Sequence, residues 1–86
     1  MEITKEKFEE ELKKCGEHFR RLRILAGFSQ VSFAEECGTA RNTVIQWEKG
    51  GMLPSYNRQL QVCTLLNDKL EDKDKVTADE LWTVRR

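Results

Sequence analysis

The stretch from Ser29 to Gly50, SQVSFAEECG followed by TARNTVIQWEKG, constrains this 86-residue chain more than any other. Its spacing predicts two short helices joined by a tight turn at Gly38. Phe33, Ala34 and Cys37 fall on one face of the first helix. Ser29 stands just before it, where a serine oxygen accepts from an unpaired N–H of the first turn. Gly38 marks the stop, because glycine enters the left-handed conformation without a Cβ clash. The second helix, over 40–49, carries Val44, Trp47 and Glu48 on one side. Arg41, Asn42, Ile45, Gln46 and Lys49 lie on the other. One short rod thus has a back suited to burial and a front rich in hydrogen-bonding groups.

Gly27-Phe28-Ser29-Gln30, Ala34, Gly38 and Trp47-Glu48-Lys49-Gly50 occur in this order and at these spacings. Together they resemble the core of the lambda-repressor/Cro-type (XRE-like) helix-turn-helix family of prokaryotic and phage transcriptional regulators. The resemblance covers residues 15–67, with a weaker match at 76–82. It implies an all-α, five-helix DNA-binding domain, lambda-repressor-like, with an N-terminal helical extension. On this reading residues 1–86 form a single domain: 1–14 the extension, 15–67 the family core, 76–84 a C-terminal helix. The implied function is sequence-specific binding of a double-stranded DNA operator by a homodimeric repressor, with helix 40–49 in the major groove. By their place in the family pattern, Arg41, Asn42 and Gln46 reach base edges, and Ile45 on the same face meets a thymine methyl. Gln30 and Lys49 hold phosphates, which position the protein without reading sequence. Arg23 and Glu48 are expected to form a partly buried, bidentate ion pair. Ala40 stands where the family often has a Ser or Thr cap, leaving Thr39 to serve. Gln59 replaces a common apolar core residue, and 68–75 looks like an insertion. Two other functions fit the same pattern: an antitoxin that binds its own promoter and a toxin protein, and an interaction module that uses the motif as scaffold.

Composition narrows the classes further. With 38% apolar and 35% charged residues, the chain reads as one soluble, helix-rich domain. No apolar run approaches the roughly 20 residues that span a bilayer. The start, MEITKEKFEE, is unlike a secretory signal, so a cytoplasmic protein with no membrane partner is expected. The net charge of zero is unevenly spread: residues 18–58 hold six Lys/Arg against three Glu, a local +3. The excess sits on the unit where phosphate contacts require it. Cys15, Cys37 and Cys63 show no C-x-x-C spacing and read as buried, reduced thiols rather than metal ligands. There is one histidine, no Gly-rich phosphate loop, and no nucleophile with a base nearby. An enzyme, a metal or a cofactor is therefore not expected.

In the remaining segments, Thr4 can cap a first helix, and Phe8, Leu12, Cys15, Phe19, Leu22 and Ala26 form a stripe along it. Gly16 interrupts this stripe at about 1 kcal/mol relative to Ala, leaving one long helix or two. The extension either folds back on its own domain or makes a dimer contact. Ile24 and Leu25 stand where the family carries polar residues, and cover the extension, cover a partner subunit, or sit at the surface. Pro54 or Ser55 opens a fourth helix, expected to turn Tyr56, Leu60, Cys63 and Leu65 or Leu66 toward the core. The run DKLEDKDK reads as a solvated loop or frayed end. Thr77 to Glu80 is a capping-box signature for a last helix carrying Leu81 and Trp82. Dimer contacts are expected from Phe8–Leu12 or from Leu81 and Trp82.

Overall fold

The computed structural model describes residues 4–83, and these form five α-helices and no strand. The helices are α1 (Lys5–Leu25), α2 (Gln30–Cys37), α3 (Arg41–Lys49), α4 (Tyr56–Lys69) and α5 (Ala78–Leu81). Residues 1–3 and 84–86 fall outside this range, including the end of the helix expected over 76–84.

α1 is one unbroken helix of 21 residues, so the extension and the first family helix are continuous. At 1.5 Å per residue it is about 31 Å long, close to the 37 Å long axis of the molecule. Thr4 caps it by accepting from the Lys7 N–H at 3.1 Å. Gly16 does not break it, because this is where α1 crosses α3. A Cβ at Gly16 would lie 2.5 Å from the carbonyl oxygens of both Trp47 and Glu48. The residue that weakens the helix locally is the one that lets two backbones touch. Gly50, just past the same end of α3, repeats the device: its φ is +75°, and a Cβ there would lie 2.6 Å from Lys13 Cα. The extension therefore packs on its own domain. Leu12 is buried and Phe8 is half-buried against the core.

The core gathers around Phe19. Its ring meets Phe33 of α2 edge-on at 5.4 Å and Trp47 of α3 at 6.2 Å between centroids. Trp82, just past α5, lies 5.7 Å away. Such pairs add about 0.5–1.5 kcal/mol each beyond the area they bury. Val44, Val62, Leu66 and Leu81 complete the core. Leu12, Leu81 and Trp82, expected to supply a dimer contact, are buried within the monomer.

On α4, Cys63 and Leu66 point inward as expected, and Gln59 fills the core position that the resemblance gives it, with Val62 beside it; Tyr56 and Leu60, expected inward, point outward. Buried Gln59 is tolerated because its Nε2 donates to the Pro54 carbonyl at 2.9 Å. A buried amide with a partner avoids most of the desolvation cost. The 68–75 insertion is pinned from outside itself. Asn67 Nδ2 donates to the Val76 carbonyl at 2.8 Å, and the Val76 N–H donates to Asn67 Oδ1 at 3.0 Å. Within the run, Leu70 is buried and Asp72–Asp74 forms a 3-10 turn. The Thr77–Glu80 capping box is present, but α5 stops at Leu81. Ile24 and Leu25 are exposed at the opposite end of α1 from the extension, so they do not cover it.

All three thiols are buried. Burial pushes Cys63 up to about 11 from 9.0, with the Glu80 charge adding to the effect. Burial also raises Cys37, against the opposing influence of Arg58.

Two measurements check this packing. Gly16→Ala should destabilise by about 1–3 kcal/mol in urea, the overlap outweighing the gain in helix propensity; a more stable variant would mean that the helices do not touch here. Cys63 keeps its proton in the folded chain at pH values where the unfolded chain has lost it. Its contribution is therefore intact below pH 9.0 and declines as pH rises toward about 11. Melting temperatures of wild type and Cys63→Ala, compared across that window, should show a shallower decline for the variant.

Candidate nucleic-acid interface

α2 and α3 are held as a pair by their ends. Ser29 accepts from the Ser32 N–H at 3.0 Å, and Ser32 Oγ accepts from the Ser29 N–H at 2.9 Å, a reciprocal cap. Gly38 takes the left-handed conformation at φ 71° and turns the chain toward α3. The Cys37 carbonyl, at the end of α2, accepts from Arg58 at 2.7 Å and Gln61 at 2.9 Å, which fasten α2 to α4. α3 starts differently. Ala40 is its N-cap and supplies no side-chain bond, so Thr39 does not take over the capping role. The positive end of the α3 dipole is thus left without a side-chain oxygen on it.

Val44, Trp47 and Glu48 form the buried back of α3. Glu48 meets Arg23 of α1, whose Nε donates to Glu48 Oε2 at 2.5 Å with both side chains almost fully buried. The expected two-bond fork is not what forms. The guanidinium divides its donors, and its NH1 group goes to the Phe28 carbonyl at 2.6 Å, closing the loop between α1 and α2. The second carboxylate oxygen, Oε1, accepts from Gln30 Nε2 at 3.0 Å. Gln30 Oε1 in turn accepts from Arg41 NH2 at 3.2 Å. The order Arg23, Glu48, Gln30, Arg41 sets the polarity of the Gln30 amide: its NH₂ faces the carboxylate and its oxygen faces a cation. One N–H of that group is left over, since a primary amide carries two.

The front of α3 is open. Arg41, Asn42 and Lys49 are exposed, and Ile45 and Gln46 are half-exposed beside them. The Asn42 side chain makes no hydrogen bond among the described residues. Gln46 lies along the turn after α3, its amide oxygen against Gly51. The structure thus gathers Arg41, Asn42, Ile45, Gln46, Lys49 and Gln30 on one surface, and sets Arg23 and Glu48 behind it. The link from Gln30 to both Glu48 and Arg41 was not foreseen. Its signal was the Gln30-to-Arg41 and Gln30-to-Glu48 separation in a turn-linked helix pair, which carries no distance until the helices are packed.

A short helix with a buried back, a hydrogen-bonding front and a second helix braced across it is a helix-turn-helix unit. The chain belongs to the helix-turn-helix family: the family model matches residues 19–67. Two curated relatives agree. The chain is 38% identical over 53 residues to an uncharacterized HTH-type transcriptional regulator, YgzD, of Bacillus subtilis (strain 168), covering 62% of this chain and 80% of the relative. It is 30% identical over 63 residues to an uncharacterized HTH-type transcriptional regulator of Archaeoglobus fulgidus, covering 73% and 90%. No solved structure matches the chain. Among the described residues no helix is long and apolar enough to cross a membrane.

The buried pair yields a stability test. Glu48→Ala strands Arg23 without its carboxylate and should cost about 3–5 kcal/mol, with Glu48→Gln less affected because an acceptor remains. Urea midpoints measure both. An unchanged midpoint for Glu48→Ala would mean that the pair contributes nothing to the fold.

Proposed function

We propose that this protein is a sequence-specific, double-stranded DNA-binding transcriptional repressor that works in the cytoplasm as a homodimer, with α3 in the major groove. The observation that carries this reading is the outward face of α3, presented by a helix whose back is buried. Arg41 is suited to guanine, through two parallel N–H donors, and Asn42 and Gln46 to adenine. Ile45 contacts a thymine methyl. Lys49 and the spare N–H of Gln30 hold phosphates, and the open N-terminus of α3 favours the same negative charge. Both relatives' names describe transcriptional regulators, which supports regulation as the role. One reading helix spans few base pairs, so a two-fold operator with half-sites about 34 Å apart is the expected target.

The roles separate by mutation. Operator sequences are first selected from random duplex DNA, then varied one position at a time. Arg41→Ala should flatten preference at one or two positions, by about 1–3 kcal/mol each. Lys49→Ala should weaken all sequences alike and lower the salt slope by about one unit. Identical specificity profiles for wild type and Arg41→Ala would show that other residues read the groove.

A further inference from the structure

Gly51, in the turn after α3, is a glycine that neither its backbone nor a crossing helix explains. Gly27, Gly38 and Gly50 take positive φ, and Gly16 lies against the backbone of α3. Gly51 has no positive φ, so its backbone conformation is open to residues with a side chain. The space beside it is filled by one residue. The three atoms nearest to a Cβ at Gly51 would all belong to Gln46: Oε1, which it would overlap, Cδ at 3.5 Å and the carbonyl oxygen at 3.7 Å.

Shape alone keeps the Gln46 amide there. The side chain makes no hydrogen bond among the described residues. The Gly51 N–H donates to the Gln46 carbonyl at 2.9 Å, which closes the turn and fixes residue 51 beside the side chain. Both ends of the amide therefore stay free, and pairing with adenine needs one donor and one acceptor together. The direction of the side chain also departs from the usual one. Long side chains on a helix lean toward its N-terminus, and from Gln46 that lean leads toward Asn42, one turn earlier. The amide instead reaches forward, past the end of α3 and onto the glycine. A Cβ at residue 51 would close that place and send the amide back toward Asn42. Because the overlapping atom is the far end of a flexible side chain, the displacement requires no shift of the backbone.

We propose that Gly51 determines the base preference of the DNA face, as a positioning residue that acts through Gln46. The proposal rests on the DNA-binding reading above and assigns the setting of one of its reading side chains. The missing Cβ gives the Gln46 amide a resting place at the C-terminal end of α3, away from Arg41 and Asn42. The reading groups are thereby spread along the helix, with Arg41 and Asn42 at its start and Gln46 over its end. A larger residue at 51 gathers Gln46 onto Asn42. It alters the preference without changing any residue on the face of α3.

The test compares the full chain with Gly51→Ala, Gln46→Ala and the double variant on a selected operator varied one position at a time. Gln46→Ala should lose preference at one position of each half-site. Gly51→Ala should lose about fivefold or more at that same position and keep the others. In the double variant the second substitution should add nothing, because no amide is left to displace. A Gly51→Ala profile like wild type overturns the proposal and leaves the DNA reading standing. A further loss in the double variant also overturns it, since Gly51 would then act on its own. A Gln46→Ala profile like wild type overturns it together with the place of Gln46 in that reading. Failure to select any operator would overturn the DNA reading and the proposal with it. Circular dichroism melts of Gly51→Ala should match wild type. A much lower midpoint would mean that the backbone requires the glycine, against the proposal. A second arm needs no DNA. In nuclear Overhauser spectra the Gln46 side-chain amide protons should contact Gly51 in wild type, and Asn42 in Gly51→Ala. Absence of the Gly51 contact in wild type, or the same contacts in both proteins, overturns the proposal.

Discussion

Arg23 is buried in this fold only because Glu48 reaches it from α3, and the placement of α3 depends on that meeting. An unpaired guanidinium in the core would cost several kcal/mol, so each charge makes the other necessary. The pair is held in place by further bonds. Arg23 also ties down the Phe28 carbonyl, and Glu48 also holds Gln30. Three helices and the loop between two of them therefore share one small polar cluster. Its contribution lies in orientation: apolar contacts tolerate sliding, whereas these hydrogen bonds are satisfied at a single setting of α3 against α1 and α2.

Apolar packing brings the helices close enough for that cluster to form. Phe19 bridges α1 to α2, to α3 and to the residue after α5 through aromatic contacts. The crossing of α1 and α3 is tighter than side chains allow, since Gly16 brings backbone against backbone. Gly50 does the same where α3 ends. Both approaches lie at the C-terminal end of α3, which they fix against the middle of α1. The proposed DNA face inherits this rigidity from behind, while its own side chains stay free to adapt. Gln30 is the exception: half-buried between Glu48 and Arg41, it transmits the setting of the buried carboxylate to the first residue of the exposed face.

How much of this was legible in the sequence differs from residue to residue. The two-helix unit, its Ser29 cap, the Gly38 turn and the division of α3 into back and front follow from short-range spacing. Local chemistry determines them, because a cap, a left-handed turn and a helical stripe each involve residues within four positions of one another. The Thr77–Glu80 box was readable for the same reason. The meeting of Arg23 with Glu48 came from resemblance and not from spacing, and its geometry differs from the expected fork because the Phe28 carbonyl competes for the guanidinium.

What the sequence left undetermined depended on contacts between distant segments. Gly16 reads as a weak point in a helix until α3 lies across it, and then it is the reason the crossing is close. Tyr56 and Leu60 fit the inward stripe of α4 by apolar character alone. Tertiary packing turns both outward and buries Gln59 and Val62, because Pro54 offers Gln59 a carbonyl and Val62 meets the core. The Asn67 clamp on Val76 spans an insertion whose charged sequence shows no sign of being pinned. The amino-acid pattern by itself determined the helices, their ends and the composition of the exposed front, since these need only neighbours in sequence. Which face of α4 is buried, how closely α1 and α3 approach, and which groups stand behind Arg41 were decided by the tertiary structure, because only packing brings together residues that the chain keeps far apart.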